Sequence, residues 1–156
     1  VKSRLVVWLA LGLILLGAAA IRLRLLDIPL DRDEGEYAYF GQMLLEGVPP
    51  YAAAYNLKAP GIYVAYSLIL ALFGQTTAGI HVGLIVVTSL ATVLMFVLAR
   101  SLVGPPAGVV AAALYATQAL NPKILGFAAY AEHFVLLFVL AGSIVLQPLA
   151  PRRAPL

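Results

Sequence analysis

Six of the seven acidic side chains in this 156-residue sequence lie between Asp27 and Glu46. Four of them crowd into one heptapeptide, Asp31-Arg32-Asp33-Glu34-Gly35-Glu36-Tyr37. Carboxylates this close are expected to raise one another's pKa, and a partly dry interface raises them further. That chemistry suits a general base, or a divalent cation held by the oxygens of Asp33 and Glu34. A structural role competes with it. Asp33 followed three residues later by Glu36 reads as an acidic capping box, and Glu34 favours a helix N-terminus electrostatically.

Two further groups carry chemistry. In Tyr55-Asn56-Leu57-Lys58-Ala59-Pro60-Gly61 the ammonium of Lys58 would neutralise a phosphate near lipid headgroups, or simply snorkel at a helix start. Pro60-Gly61 turns the chain into the next helix. In Ala129-Tyr130-Ala131-Glu132-His133, Glu132 is the one acid beyond Glu46. An ionisable residue at the end of a membrane span is costly unless it meets a polar cavity, a partner or solvent. His81, at the start of another apolar stretch, is a weaker candidate for touching phosphate or carboxylate.

These groups are set in an apolar chain. Hydrophobic residues make up 63% and charged residues 11%, and the mean hydropathy is +0.99. A soluble domain is about 45–50% apolar and about 25% charged, and so small a core could not hide the excess. The sequence therefore predicts an all-α membrane protein. The expected spans are 5–24, 78–99, 105–121 and 132–149, with an external loop over 27–77. Ala18-Ala19-Ala20 also resembles a signal-peptide cleavage site, but the later spans hold the chain in the membrane in either case. Within the loop, Asp33 to Glu46 reads as an amphipathic helix with Tyr37, Phe40 and Leu44 on one face, ended by Gly47, Pro49 and Pro50. Residues 61–73 are apolar but give only roughly 20 Å of helix against a hydrocarbon core of ~30 Å, so they are expected to lie in the interface.

Charge placement agrees with that reading. With four crossings, Lys2, Arg4, Arg100, Arg152 and Arg153 fall on one face of the membrane, and Asp31, Asp33, Glu34, Glu36 and Glu132 on the other. If 61–73 crossed instead, Arg100 and the Arg152-Arg153 pair would lie outside, against the positive-inside tendency. Arg22 and Arg24 are exceptions. The acidic face is expected to be periplasmic or extracellular, with the chain in the cell membrane. The absence of cysteine excludes disulfides, thiolate metal sites and cysteine nucleophiles.

The order of parts resembles the N-terminal module of GT-C membrane glycosyltransferases, in the branch related to protein mannosyltransferases and lipid A aminoarabinose transferases. The likeness runs through an N-terminal span, Asp33-Glu34 opening an amphipathic helix, Lys58-Ala59-Pro60-Gly61, an interfacial helix ending at Phe73-Gly74, and alternating spans with Glu132. It implies two juxtamembrane helices in the first external loop. It also implies Asp33, Glu34 and Glu132 at the catalytic centre, with Lys58, Tyr37 and His81 binding substrate. The implied reaction transfers a sugar from a polyprenyl-phosphate donor to an acceptor glycan, lipid or protein by one inverting displacement, with Asp33 as base. A divalent cation is optional to this chemistry, and no nucleic-acid partner is expected. Ala59 departs from the family's Lys-Pro-Pro-Gly, and His81 stands where many relatives carry arginine. Relatives have many more spans, so the chain is expected to be part of a longer enzyme. Two other readings stay open. One is a transport component, which would need acids at mid-membrane depth. The other is a non-catalytic membrane subunit or inactive remnant in which the acidic loop only caps a helix.

Overall fold

The computed structural model describes residues 2–147, with residues 2 and 3 placed by backbone alone. Arg152, Arg153 and the end of the expected 132–149 span lie outside the described residues. Six α-helices and no strand occur among the described residues: α1 (Lys2–Leu23), α2 (Arg32–Leu45), α3 (Gly61–Phe73), α4 (Thr77–Leu102), α5 (Pro105–Gln118) and α6 (Ala131–Leu146). A short 3₁₀ turn, Pro122–Ile124, joins α5 to α6.

Two of these helices, Arg4–Leu23 with 20 residues and Thr77–Leu102 with 26, are long and apolar enough to cross a membrane. Their lengths are roughly 30 and 39 Å. The expected spans 105–121 and 132–149 correspond to shorter helices of 14 and 16 residues. Pro122 accounts for the early end of α5, because its ring and missing N–H cannot continue the helix. Leu5, Leu9, Leu13 and Leu16 on α1 are 57–70% exposed. A file of leucines facing outward fits a hydrocarbon solvent better than water.

α4 is the central helix and touches α1, α3, α5 and α6. α2 packs along α3, with Tyr37 against Tyr63 and Tyr66 and Gly41 against Ser67, and α3 in turn rests on α4 and α6. Their apolar stripes meet in a core of Tyr37, Phe40, Tyr63, Tyr66, Ile80, Leu84 and Phe134. The Phe40 and Tyr63 rings stack at 4.4 Å. The amphipathic reading of residues 33–46 holds for Tyr37 and Phe40, both buried, with Leu44 half-buried beside them. A second core joins Leu11 of α1, Phe96 of α4 and Ala112 of α5.

Polar ties put four helix ends at one level. His81, near the start of α4, bonds through Nδ1 to the Leu26 carbonyl just past α1, at 2.8 Å. Arg22, at the end of α1, donates to the carbonyls of Ala119 (2.6 Å) and Gly126 (3.0 Å), just past α5. Glu34 of α2 binds the Ala129 N–H, two residues before α6. The chain therefore leaves α1 and enters α4 at the same end of the bundle, and α2 and α3 fill the excursion between. α1, α4, α5 and α6 alternate in direction. At the opposite end, Arg4 and Arg100 converge with the Pro105-Pro106 start of α5.

α4 and α5 approach closely over Gly108. A Cβ there would stand 2.9 Å from both the Phe96 carbonyl oxygen and Phe96 Cδ2, and 3.0 Å from Arg100 Cβ. Gly108→Ala gains about 1 kcal/mol in helix propensity, but it forces two helix backbones apart at a cost of about 1–3 kcal/mol. Net destabilisation is expected in a detergent-unfolding titration. A more stable variant would show that the two helices separate freely at this point.

Candidate functional site

The acidic heptapeptide is placed by a capping box that lies two residues before the expected one. Asp31 is the N-cap of α2; its carboxylate accepts from the Asp33 N–H, while the Glu34 side chain accepts from the Asp31 N–H at 3.0 Å. The Asp33–Glu36 pair expected to form the box does not. In the helix that begins at Arg32, Tyr37 and Phe40 face inward against α3 and Glu34 faces the loop before α6. Glu36 instead accepts from the Asn56 side chain.

Glu34 is 1% exposed. Its Oε1 accepts from the Ala129 N–H at 2.6 Å and lies 3.5 Å from His81 Nε2. The carbonyl of the same Ala129 accepts from the Tyr66 hydroxyl at 2.7 Å. Both backbone groups of Ala129 are thus pinned, one by α2 and one by α3. Tyr130, Ala131 and Glu132 follow directly, and the pinning delivers them across from Asp33.

Between these segments opens a cleft of about 830 Å³. Its polar end is made by Asp33 and Tyr37 of α2, Lys58 of the loop, and Tyr130 and Glu132 at the head of α6. The rest of its wall is apolar, including Ile62, Val64, Phe134, Val135 and Phe138. Lys58 Nζ donates to Asp33 Oδ2 and to the Tyr37 hydroxyl, each at 2.6 Å, and lies 4.5 Å from the centre of the Tyr37 ring. The loop holds Lys58 in place: its N–H donates to Asn56 Oδ1 at 2.9 Å and its carbonyl accepts from the Tyr51 hydroxyl. Asp31 Oδ2, beside the cleft, accepts from the Tyr130 hydroxyl at 2.5 Å.

The clustering predicts raised pKa values, and at Asp31, Asp33 and Glu34 the structure reverses the sign. The Lys58 hydrogen bond holds Asp33 below the ordinary carboxylate value. Tyr130 does the same for Asp31, whose charge pushes Tyr130 itself up to about 12. Burial alone would raise Glu34, but His81 and the N–H groups of Ala129 and Asp31 outweigh it and hold it low. Lys58 is the mirror case: burial alone would lower its pKa, and Asp33 and Tyr37 raise it. Each carboxylate meets a donor from a distant part of the chain before it meets another carboxylate.

Of the residues singled out in the sequence, Asp33, Tyr37, Lys58 and Glu132 therefore converge on one cleft. Glu34 and His81 do not line it. They are buried behind it at 1% and 4% exposure, and their role there is to position. A cation held by Asp33 and Glu34 does not fit this donor set, because Asp33 Oδ2 holds an ammonium and both Glu34 oxygens accept N–H groups. No group of three or more metal-ligating side chains converges among the described residues. Tyr130 and Asp31 join the site without a sequence signal strong enough to pair them, since 99 positions separate them. No protein-family model, curated protein or solved structure matches the chain.

Glu34→Gln tests the positioning role. Either orientation of the amide turns its NH₂ toward an N–H that now donates to a carboxylate oxygen, which costs about 1–3 kcal/mol. The pH dependence has a fixed sign. Glu34 is depressed in the folded protein, so its contribution is present above the unfolded-state value of about 4.3 and is lost as pH falls through the folded-state value. Unfolding measured across a pH series should show a shallower acid limb in Glu34→Gln than in the wild type. Superimposable limbs would assign the acid sensitivity to other groups.

Proposed function

We propose that this chain is the N-terminal module of a GT-C membrane glycosyltransferase. It takes a sugar from a polyprenyl-phosphate donor at the outer face of the cell membrane and passes it to an acceptor hydroxyl. One observation carries the reading: an ammonium bonded to a carboxylate and a phenol sits at the polar end of a cleft that is otherwise apolar. A phosphate on an isoprenoid tail has the matching polarity, with its charge at Lys58 and its chain along Ile62, Val64, Phe134 and Phe138.

In the proposed reaction the acceptor oxygen attacks the anomeric carbon from the side opposite the phosphate. The bond from carbon to acceptor oxygen forms as the bond from carbon to phosphate oxygen breaks, inverting the centre. The acceptor's proton passes to Asp33, and polyprenyl phosphate leaves as an anion stabilised by Lys58. The Lys58 contact keeps Asp33 ionised and therefore able to accept a proton. When Lys58 shares its charge with an incoming phosphate its hold on Asp33 weakens, and Asp33 becomes more basic with the donor in place. Tyr37 orients the ammonium. Glu132, exposed at the mouth, is positioned to take sugar hydroxyls.

The membrane arrangement we propose has α1, α4, α5 and α6 crossing, with α2 and α3 in the outer interface. Length alone does not distinguish α3 from α5, which has one residue more. The hydrogen bond from His81 to Leu26 is the better support, since it brings the chain back into α4 at the level where it left α1. Transport through a line of buried acids is the weaker reading, because no acidic residue lies between Glu46 and Glu132.

Asp33→Asn in the enzyme carrying this module should lower sugar transfer, assayed with a polyprenyl-phosphate sugar in membranes, by about 100-fold or more while insertion is unchanged. Near-normal transfer would favour the non-catalytic subunit. Topology is read independently in this cysteine-free sequence. Single cysteines at Tyr55, Glu132 and Val103, all exposed, are treated with an impermeant maleimide. Labelling at 55 and 132 from outside, and at 103 only after permeabilisation, is expected. External labelling at 55 with 132 reachable only from the cytoplasm would defeat the four-crossing arrangement.

A further inference from the structure

The end of the bundle remote from the cleft holds a second cavity, of about 340 Å³, lined by Arg4, Val7, Trp8, Arg100, Pro105 and Pro106. Its composition inverts that of the cleft. Two guanidinium groups face it, and every acidic residue of the sequence lies within 27–46 or at 132, at the other end of α1 and α4. Arg4 and Leu23 bound a 20-residue stretch of one helix, a separation of roughly 30 Å.

The Arg100 guanidinium is held by aromatic faces, 5.4 Å from the Trp8 ring centre and 5.7 Å from that of Phe96. A cation held over aromatic rings is attracted without spending its N–H donors, which stay available to an anion. The prolines at the first two positions of α5 carry no backbone N–H. An anion here is therefore bound by side chains, while the positive end of the α5 dipole adds to the attraction. Trp8 is half exposed beside the apolar outer file of α1, an arrangement suited to the boundary between headgroups and acyl chains.

We propose that this cavity seats the headgroup phosphate of an anionic phospholipid, with Arg4 and Arg100 as its two cationic ligands and Trp8 as the platform beneath them. A basic pocket between helices at a membrane surface is the arrangement that selects anionic over zwitterionic lipid. A free phosphate offers the same charge, but it has no use for the apolar wall of Val7, Trp8 and the two prolines. The site stands apart from the glycosyltransferase reading, and neither needs the other.

Trp8 is the single tryptophan of the sequence and reports the site directly. The full chain is reconstituted in phosphatidylcholine bilayers, and phosphatidylglycerol with brominated acyl chains is titrated in. Trp8 fluorescence should be quenched at markedly lower mole fraction than with brominated phosphatidylcholine. Arg4→Gln and Arg100→Gln should each reduce that preference about fivefold. Arg4 is exposed, so its substitution leaves the packed core intact. Equal quenching by the two lipids, or a preference that survives both substitutions, overturns the proposal. Inorganic phosphate, at ionic strength matched with chloride, should leave the preference in place. Its abolition by phosphate would overturn the lipid assignment in favour of a soluble phosphate ligand.

Discussion

The arrangement of this molecule depends on one buried carboxylate. Burying an isolated charge costs several kcal/mol even after relaxation, and removing its partners costs about as much again. Glu34 meets that cost with the Asp31 N–H, the Ala129 N–H and the His81 ring. Those partners belong to the start of α2, the loop before α6 and the second turn of α4. A single side chain therefore sets the register of α2, locks its N-terminus to α4, and fixes where the polypeptide re-enters for α6. Tyr66 adds the matching bond to the Ala129 carbonyl from α3. With both backbone groups of Ala129 occupied, the position of Tyr130 and Glu132 relative to Asp33 has little freedom.

This separates two tasks that adjacent acids in the sequence would otherwise share. Glu34 faces inward and is saturated with donors, so it holds geometry and does not reach the cleft. Asp33, the preceding residue, points about 100° around the helix into the cleft, where its side chain is one-quarter exposed and its charge is balanced by Lys58. Asp33 thus has access to the cleft, and Glu34 has none. The same helical turn supplies both because neighbours in sequence are not neighbours on a helix surface.

Much of this was legible in the sequence. Residues 61–73 were bounded correctly because Pro60-Gly61 and Gly74 punctuate both ends of an unbroken apolar run. The expected 78–99 span and the Thr77–Leu102 helix nearly coincide for the same reason, with Thr76 as an N-cap. Asp33, Tyr37, Lys58 and Glu132 were all singled out and all line the cleft. What failed depended on distant partners. Asp31-x-x-Glu34 and Asp33-x-x-Glu36 are equally good capping boxes on paper, and the choice between them is made by Ala129, nearly a hundred residues away. The sign of the carboxylate pKa shifts failed similarly: local spacing shows only like charges, while the donors that reverse the effect, Lys58, Tyr130 and the Ala129 N–H, come from elsewhere. His81 looked available for substrate because nothing local indicated that Leu26 and Glu34 would enclose it.

Arg22 shows how a local tie can take precedence over a charge rule. It stands at the acidic end of the bundle, an exception to the charge separation expected from the sequence, and it is 5% exposed. Its guanidinium donates to the carbonyl of Ala119, the C-cap of α5, where the last helical carbonyls lack intrahelical partners and the dipole is negative, and to the Gly126 carbonyl in the loop that follows. The group that Arg22 neutralises is thus a helix end. The positive-inside tendency concerns cations solvated on either side of a bilayer, and a guanidinium spent on buried carbonyls is not among them. With Arg22 accounted for this way, the separation of charge is cleaner than the sequence suggests: at the described end remote from the cleft the charged groups are basic, and the carboxylates gather where the cleft opens.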